Sequence, residues 1–141
     1  MTIEKALADC REKRPNQFSE EDLLSWLNEV ELELVQEVFS LFEGFTQEKD
    51  FQGYGEETQG STVLLVPPPY DSLYRYWLYA MVDFHLNDLG RYSVAANMYQ
   101  QRLESLKAHM VQTYMPLQKN TLKHAWVTGA KGKKDKNNPL G

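Results

Sequence analysis

The chain has 141 residues, 42% of them hydrophobic and 12% aromatic, a composition that excludes a disordered chain and suits one compact domain with its own core. The net charge of −5 is unevenly spread: residues 114–141 carry six lysines against Asp135, a balance of +5, which leaves −10 on the first 113 residues. So acidic a body repels nucleic-acid phosphates over most of its surface, whereas the basic end attracts an acidic patch or a phosphate backbone.

The first predicted element is a short helix over residues 3–13. Ile3, Leu7 and Cys10 share one face, and Thr2 is placed to cap the free first-turn N–H groups. Pro15 and Asn16 interrupt the pattern. A second helix is expected over residues 19–43, with Ser19 as cap and Glu20, Glu21 and Asp22 at the positive end of its dipole. Leu23, Leu27, Val30, Leu34, Val38 and Leu41 form its apolar stripe, widened by Val35, Phe39 and Phe42.

Residues 45–60 are polar and glycine-containing, and read as a long loop that can hold a short strand around residues 51–54, the most mobile part of the free chain. Residues 62–66, Thr-Val-Leu-Leu-Val, have the composition of a strand, and Pro67, Pro68 and Pro69 predict a stiff, extended exit from it. A third helix is expected over residues 71–89, capped by Asp71, ended by Gly90, and apolar nearly all round, with Leu73, Trp77, Leu78, Met81 and Phe84 buried. A fourth spans residues 91–114, with Tyr92, Ala96, Tyr99, Leu103, Leu106 and Met110 on one face, closed by Pro116. The expected fold is therefore mainly α. It is a small four-helix domain over residues 1–116, with a short β-strand or hairpin between helices 2 and 3. A basic, flexible tail follows over residues 117–141.

Cys10 is the single cysteine and has no internal disulfide partner, which suits a reducing compartment. No apolar run approaches the roughly 20 residues of a membrane span, and residues 1–14 lack the apolar centre of a signal peptide. A cytosolic product is expected.

No catalytic or metal-binding motif emerges. His85, His109 and His124 lie outside any ligand spacing, and His85 is expected as a core histidine of the third helix. Cys10 reads as a structural thiol. The pairs Glu29/Glu33 and Glu33/Glu37 stand one helical turn apart, but opposite an apolar stripe they read as a solvated face. Gly53-Tyr54-Gly55 lacks the context of a phosphate loop. Arg75, Tyr79 and Asp83 lie on the least apolar side of the third helix, where half exposure, or a subunit contact, is expected. No enzyme activity and no cofactor are expected.

Two stretches resemble one family. They are Arg14-Pro15-Asn16-Gln17-Phe18-Ser19-Glu20-Glu21-Asp22-Leu23-Leu24-Ser25-Trp26-Leu27-Asn28-Glu29-Val30-Glu31, and Leu64-Leu65-Val66-Pro67-Pro68-Pro69-Tyr70-Asp71-Ser72-Leu73-Tyr74 with its continuation through Ala80-Met81-Val82-Asp83-Phe84 and Arg91-Tyr92-Ser93 to Tyr114-Met115-Pro116. Together they resemble the small head–tail connector proteins of tailed bacteriophages of Gram-positive hosts. The resemblance implies a structural virion protein, an adaptor that binds the portal ring, assembles as a ring, typically twelve-fold in this family, and extends the DNA channel at the neck. Its partners would be the portal, a downstream neck or tail protein and copies of itself. DNA would pass without specific binding, and no membrane would be involved. The protein would reside in the virion neck, and in host cytoplasm during assembly.

An acidic body suits a channel through which DNA slides without sticking. In the basic end, Trp126 and Val127 are expected to dock on the portal or on an adjacent subunit while Lys131, Lys133, Lys134 and Lys136 steer the approach. The alternative is a nucleic-acid-associated packaging or regulatory protein that uses those lysines.

Overall fold

The computed structural model describes residues 1–45 and 50–114. Among them are four α-helices: α1 (Ile3–Lys13), α2 (Glu20–Glu37), α3 (Ser72–His85) and α4 (Leu89–Thr113), with a 3-10 turn at Phe39–Leu41. The mainly helical class is as expected. The chain divides into two compact units. The first holds residues 1–33 and 52–103; the described part of the second is residues 34–45, 50–51 and 104–114.

The helix starts follow local chemistry. Thr2 Oγ1 accepts the Lys5 N–H at 3.2 Å, and Ser19 Oγ accepts that of Asp22 at 3.0 Å, as their hydroxyl caps predict. Asp71 behaves differently: it makes no side-chain cap, and its carboxylate instead lies 2.9 Å from the Met1 amino group.

The strand expected over residues 62–66 does not form, and the described residues contain only an isolated antiparallel bridge between Thr2 and Val63. The reason lies in its partner. Ile3 N donates to Thr62 O at 3.0 Å and Leu64 N donates to Met1 O at 2.9 Å, but from Ile3 onward the partner backbone is helical, so the ladder stops. The same contacts serve α1, because Thr62 O and Gly60 O take the free N–H groups of Ile3 and Glu4. Gly60 permits this close approach, since a Cβ there would come within 3.1 Å of Glu4 Cβ. The three prolines lead into a turn rather than an extended exit, with Tyr70 N donating to Pro67 O at 3.0 Å.

The first unit is built around α1, α3 and the first part of α2, with α1 packed on α3. Its fully buried side chains include Leu23, Leu27, Leu73, Tyr74 and Leu78. In the second unit Leu34, Val38, Phe39, Phe42, Leu106 and Met110 are buried, and Phe39 stacks on Phe45 at 5.2 Å. The apolar stripe read along residues 23–38 is thus the buried face of α2, although the helix ends at Glu37 and a 3-10 turn takes over.

The third helix departs most from expectation. It ends at His85 because Asn87 adopts a left-handed conformation (φ 62°), which asparagine tolerates better than most residues. Asp88 then opens α4, its Oδ1 accepting the Arg91 N–H at 3.2 Å, so Gly90 lies inside α4 instead of ending α3. With the break moved forward, the last turn of α3 emerges at the surface. Leu73 and Leu78 are buried as expected, but Trp77 and Met81 are half-buried and Phe84 is 53% exposed.

Candidate functional site

Three side-chain constellations stand out, all in the first unit. The deepest centres on Glu31, a carboxylate with no solvent exposure. Tyr74 donates to its Oε1 at 2.5 Å, while Tyr54 (2.6 Å) and the Leu65 N–H (3.0 Å) donate to its Oε2. Tyr74 Oη in turn accepts the Val66 N–H at 2.9 Å. Burial raises the Glu31 pKa from its ordinary value, and the three donors pull the other way. Burial, with the neighbouring carboxylate, also pushes both tyrosine hydroxyls up, so they remain protonated donors.

This group ties residues 54–66 to α2 and α3. Asn28 adds a second tie: its Oδ1 accepts the Tyr54 N–H at 2.6 Å and its Nδ2 donates to Tyr54 O at 2.9 Å. Gly53 (φ +108°) makes the bend that brings Tyr54 to Asn28. Within the loop expected over residues 45–60, Tyr54 is thus held to Asn28 and Glu31 of α2.

The sequence carries a signal for Glu31 that the apolar stripe alone hides. Glu31 lies four residues after Leu27 and three before Leu34, so an acid occupies a core position of the stripe. The acidic pairs Glu29/Glu33 and Glu33/Glu37 are on the exposed face, as expected.

A second constellation gathers Arg75, Tyr79 and Asp83 of α3 with Asp9 of α1 and Arg14, its C-cap. Arg14 Nε donates to both Asp83 oxygens at 3.0 and 3.2 Å, and its guanidinium lies 4.6 Å from the centre of the Tyr79 ring. Tyr79 Oη donates to Asp9 Oδ2 at 2.6 Å, and Arg75 pairs with the same oxygen at 3.3 Å. The expectation of half exposure holds only for Arg75: Asp83 is 2% and Tyr79 7% exposed. α1 covers that side of α3, so Asp83 and Tyr79 find their hydrogen-bond partners in Arg14 and Asp9, whereas Arg75 Nε makes an ion pair with Asp9 but no hydrogen bond. Cys10 is fully buried on the same helix, and burial, with Asp9 beside it, pushes its thiol pKa up to about 11.

The third constellation is an aromatic strip at the surface. Phe18 meets Trp26 edge-on at 5.2 Å, Trp26 stacks on His85 at 4.7 Å, His85 meets Phe84 at 5.4 Å, and Phe84 meets Tyr92 at 5.5 Å. His85 is exposed, contrary to its expected place in the core, and its Nδ1 lies 2.8 Å from Met81 O. Beside the strip, Leu86, Leu89 and Val94 are 54%, 58% and 63% exposed. A shallow depression of about 430 Å³ adjoins Tyr92 and Val94. Large apolar side chains thus lie exposed around the α3–α4 turn.

Among the described residues no cluster of three or more His, Cys, Asp or Glu side chains is arranged to hold a metal ion, and no helix is long and apolar enough to cross a membrane. Trp126, Val127, Lys131, Lys133, Lys134 and Lys136, and the expected tail over residues 117–141, lie outside the described residues. The sequence matches no protein-family model, and comparisons with curated proteins and with solved structures gave no match.

Proposed function

We propose that the chain is a structural adaptor, a head–tail connector of a tailed bacteriophage or prophage that binds the portal ring and extends the DNA channel at the neck. The sequence resemblance over residues 1–116 suggests the family. The observation that carries an adaptor role is the exposed apolar surface at the α3–α4 turn, where Phe84, Leu86, Leu89 and Val94 are all more than half exposed. Burying such a surface against a partner is favourable at roughly 25 cal/mol per Å² before the cost of association is counted. In this role the chain acts by position rather than by catalysis, in a ring with copies of itself between the portal and a downstream neck or tail protein. The acidic body keeps passing DNA from adhering, because adhesion needs cationic contacts.

The test is electron microscopy of portal rings from the same genome incubated with the chain. An added layer of density below the portal is expected, and it should disappear with the Leu86→Lys/Val94→Lys double variant. Bare portal rings at saturating chain would defeat the reading. Strong duplex-DNA binding that collapses as salt rises would favour the nucleic-acid-associated alternative.

A further inference from the structure

On the side of the first unit formed by the starts of α1 and α2 lies a cleft of about 310 Å³ that none of the three constellations uses. Its lining has two characters. Leu7 and Leu24 are apolar, with Leu7 buried, while Glu4, Glu20, Glu21 and Glu56 are exposed carboxylates. Among the described residues none of these four carboxylates forms an ion pair. An apolar lining beside unneutralised acids fits a ligand that offers an apolar side chain followed by several cations.

The chain itself contains such a segment. Trp126 and Val127 are followed within ten residues by Lys131, Lys133, Lys134 and Lys136, with Asp135 the one acid among them. We propose that the cleft receives this C-terminal segment from a neighbouring copy of the chain, Trp126 and Val127 against Leu7 and Leu24 and the lysines against the four glutamates. Trp126 lies twelve residues beyond Tyr114, a reach of up to roughly 40 Å when extended, enough to cross to an adjacent molecule. Cleft and segment are different surfaces, so their exchange is head-to-tail, the type of contact that closes into a ring. The choice of a neighbouring copy rests on the adaptor reading.

The experiment uses mixed unlabelled and heavy-nitrogen-labelled full-length chain, concentrated and coupled with a water-soluble carbodiimide, which joins lysine amines to carboxylates in contact. Mass spectrometry is expected to find mixed-isotope links from Lys131, Lys133, Lys134 or Lys136 to Glu4, Glu20, Glu21 or Glu56. In sedimentation, Glu56→Lys should weaken self-association about tenfold, and adding Lys134→Glu should restore it. Glu56 is exposed and outside every helix, and circular dichroism checks that the variant folds. Same-isotope links alone would place the segment on its own molecule and overturn the proposal. Links to other carboxylates, or no recovery in the charge swap, would also overturn it. A chain that forms the mixed links but ignores portal rings would refute the adaptor role while leaving the cleft assignment standing.

Discussion

Glu31 concentrates the energetics of the first unit in one side chain, because a carboxylate without solvent exposure depends wholly on its three donors. Tyr74→Phe removes the donor to Oε1 and the acceptor of the Val66 N–H together, and urea unfolding should show a loss of roughly 2–3 kcal/mol. Burial raises the Glu31 pKa, so the folded state holds that proton to higher pH than the unfolded chain. The resulting stability is complete below the unfolded carboxyl pKa and is lost as pH rises through the folded one. Glu31→Gln has no such proton, and its stability relative to wild type should therefore improve as pH rises from the unfolded carboxyl pKa through the folded one. A constant difference across that range would contradict the assignment. Cys10, fully buried and with its thiol pushed up to about 11, should resist alkylation at neutral pH in the native protein and react at the rate of unfolding.

At the level of elements, two side chains shape the connections. Asn28 grips both backbone polar groups of Tyr54 through the bend at Gly53. Asn28→Ala should speed hydrogen exchange at the Tyr54 amide at least tenfold, equivalent to about 1.4 kcal/mol, with little change in the helices. Asn87 ends α3 in the left-handed region. Asn87→Gly should leave thermal stability nearly unchanged, whereas Asn87→Val should cost about 1–2 kcal/mol, because a β-branched side chain clashes in that conformation. Helix starts at Thr2 and Ser19 were legible because a cap is a local hydrogen bond that needs only its own segment. The end of α3 was not. Gly90 looked the better stop, yet the chain turns three residues earlier, where Asp88 begins the next helix and Asn87 accepts the positive φ.

For the molecule as a whole, apolar character and burial part company at the α3–α4 turn. Leu86→Lys and Val94→Lys touch exposed positions, so each should leave stability within about 0.5 kcal/mol of wild type. Leu78→Ala, at a fully buried position of α3, should cost about 2–5 kcal/mol. Comparable losses at all three positions in thermal unfolding would mean that the surface belongs to the core and not to a partner. The four helices, their approximate spans and the buried stripe of α2 followed from residue order alone, since helical period and capping are set within a dozen neighbouring residues. Tertiary structure decided the rest. Residues 62–66 have strand composition, but their partner becomes helical at Ile3 and leaves a single bridge. Asp83 and Tyr79 looked half exposed until α1 covered them with Asp9 and Arg14, and Phe84 looked buried until the early end of α3 left it in solvent. Each of these outcomes depends on which distant segment arrives to bond or cover a side chain, and local periodicity contains no such information.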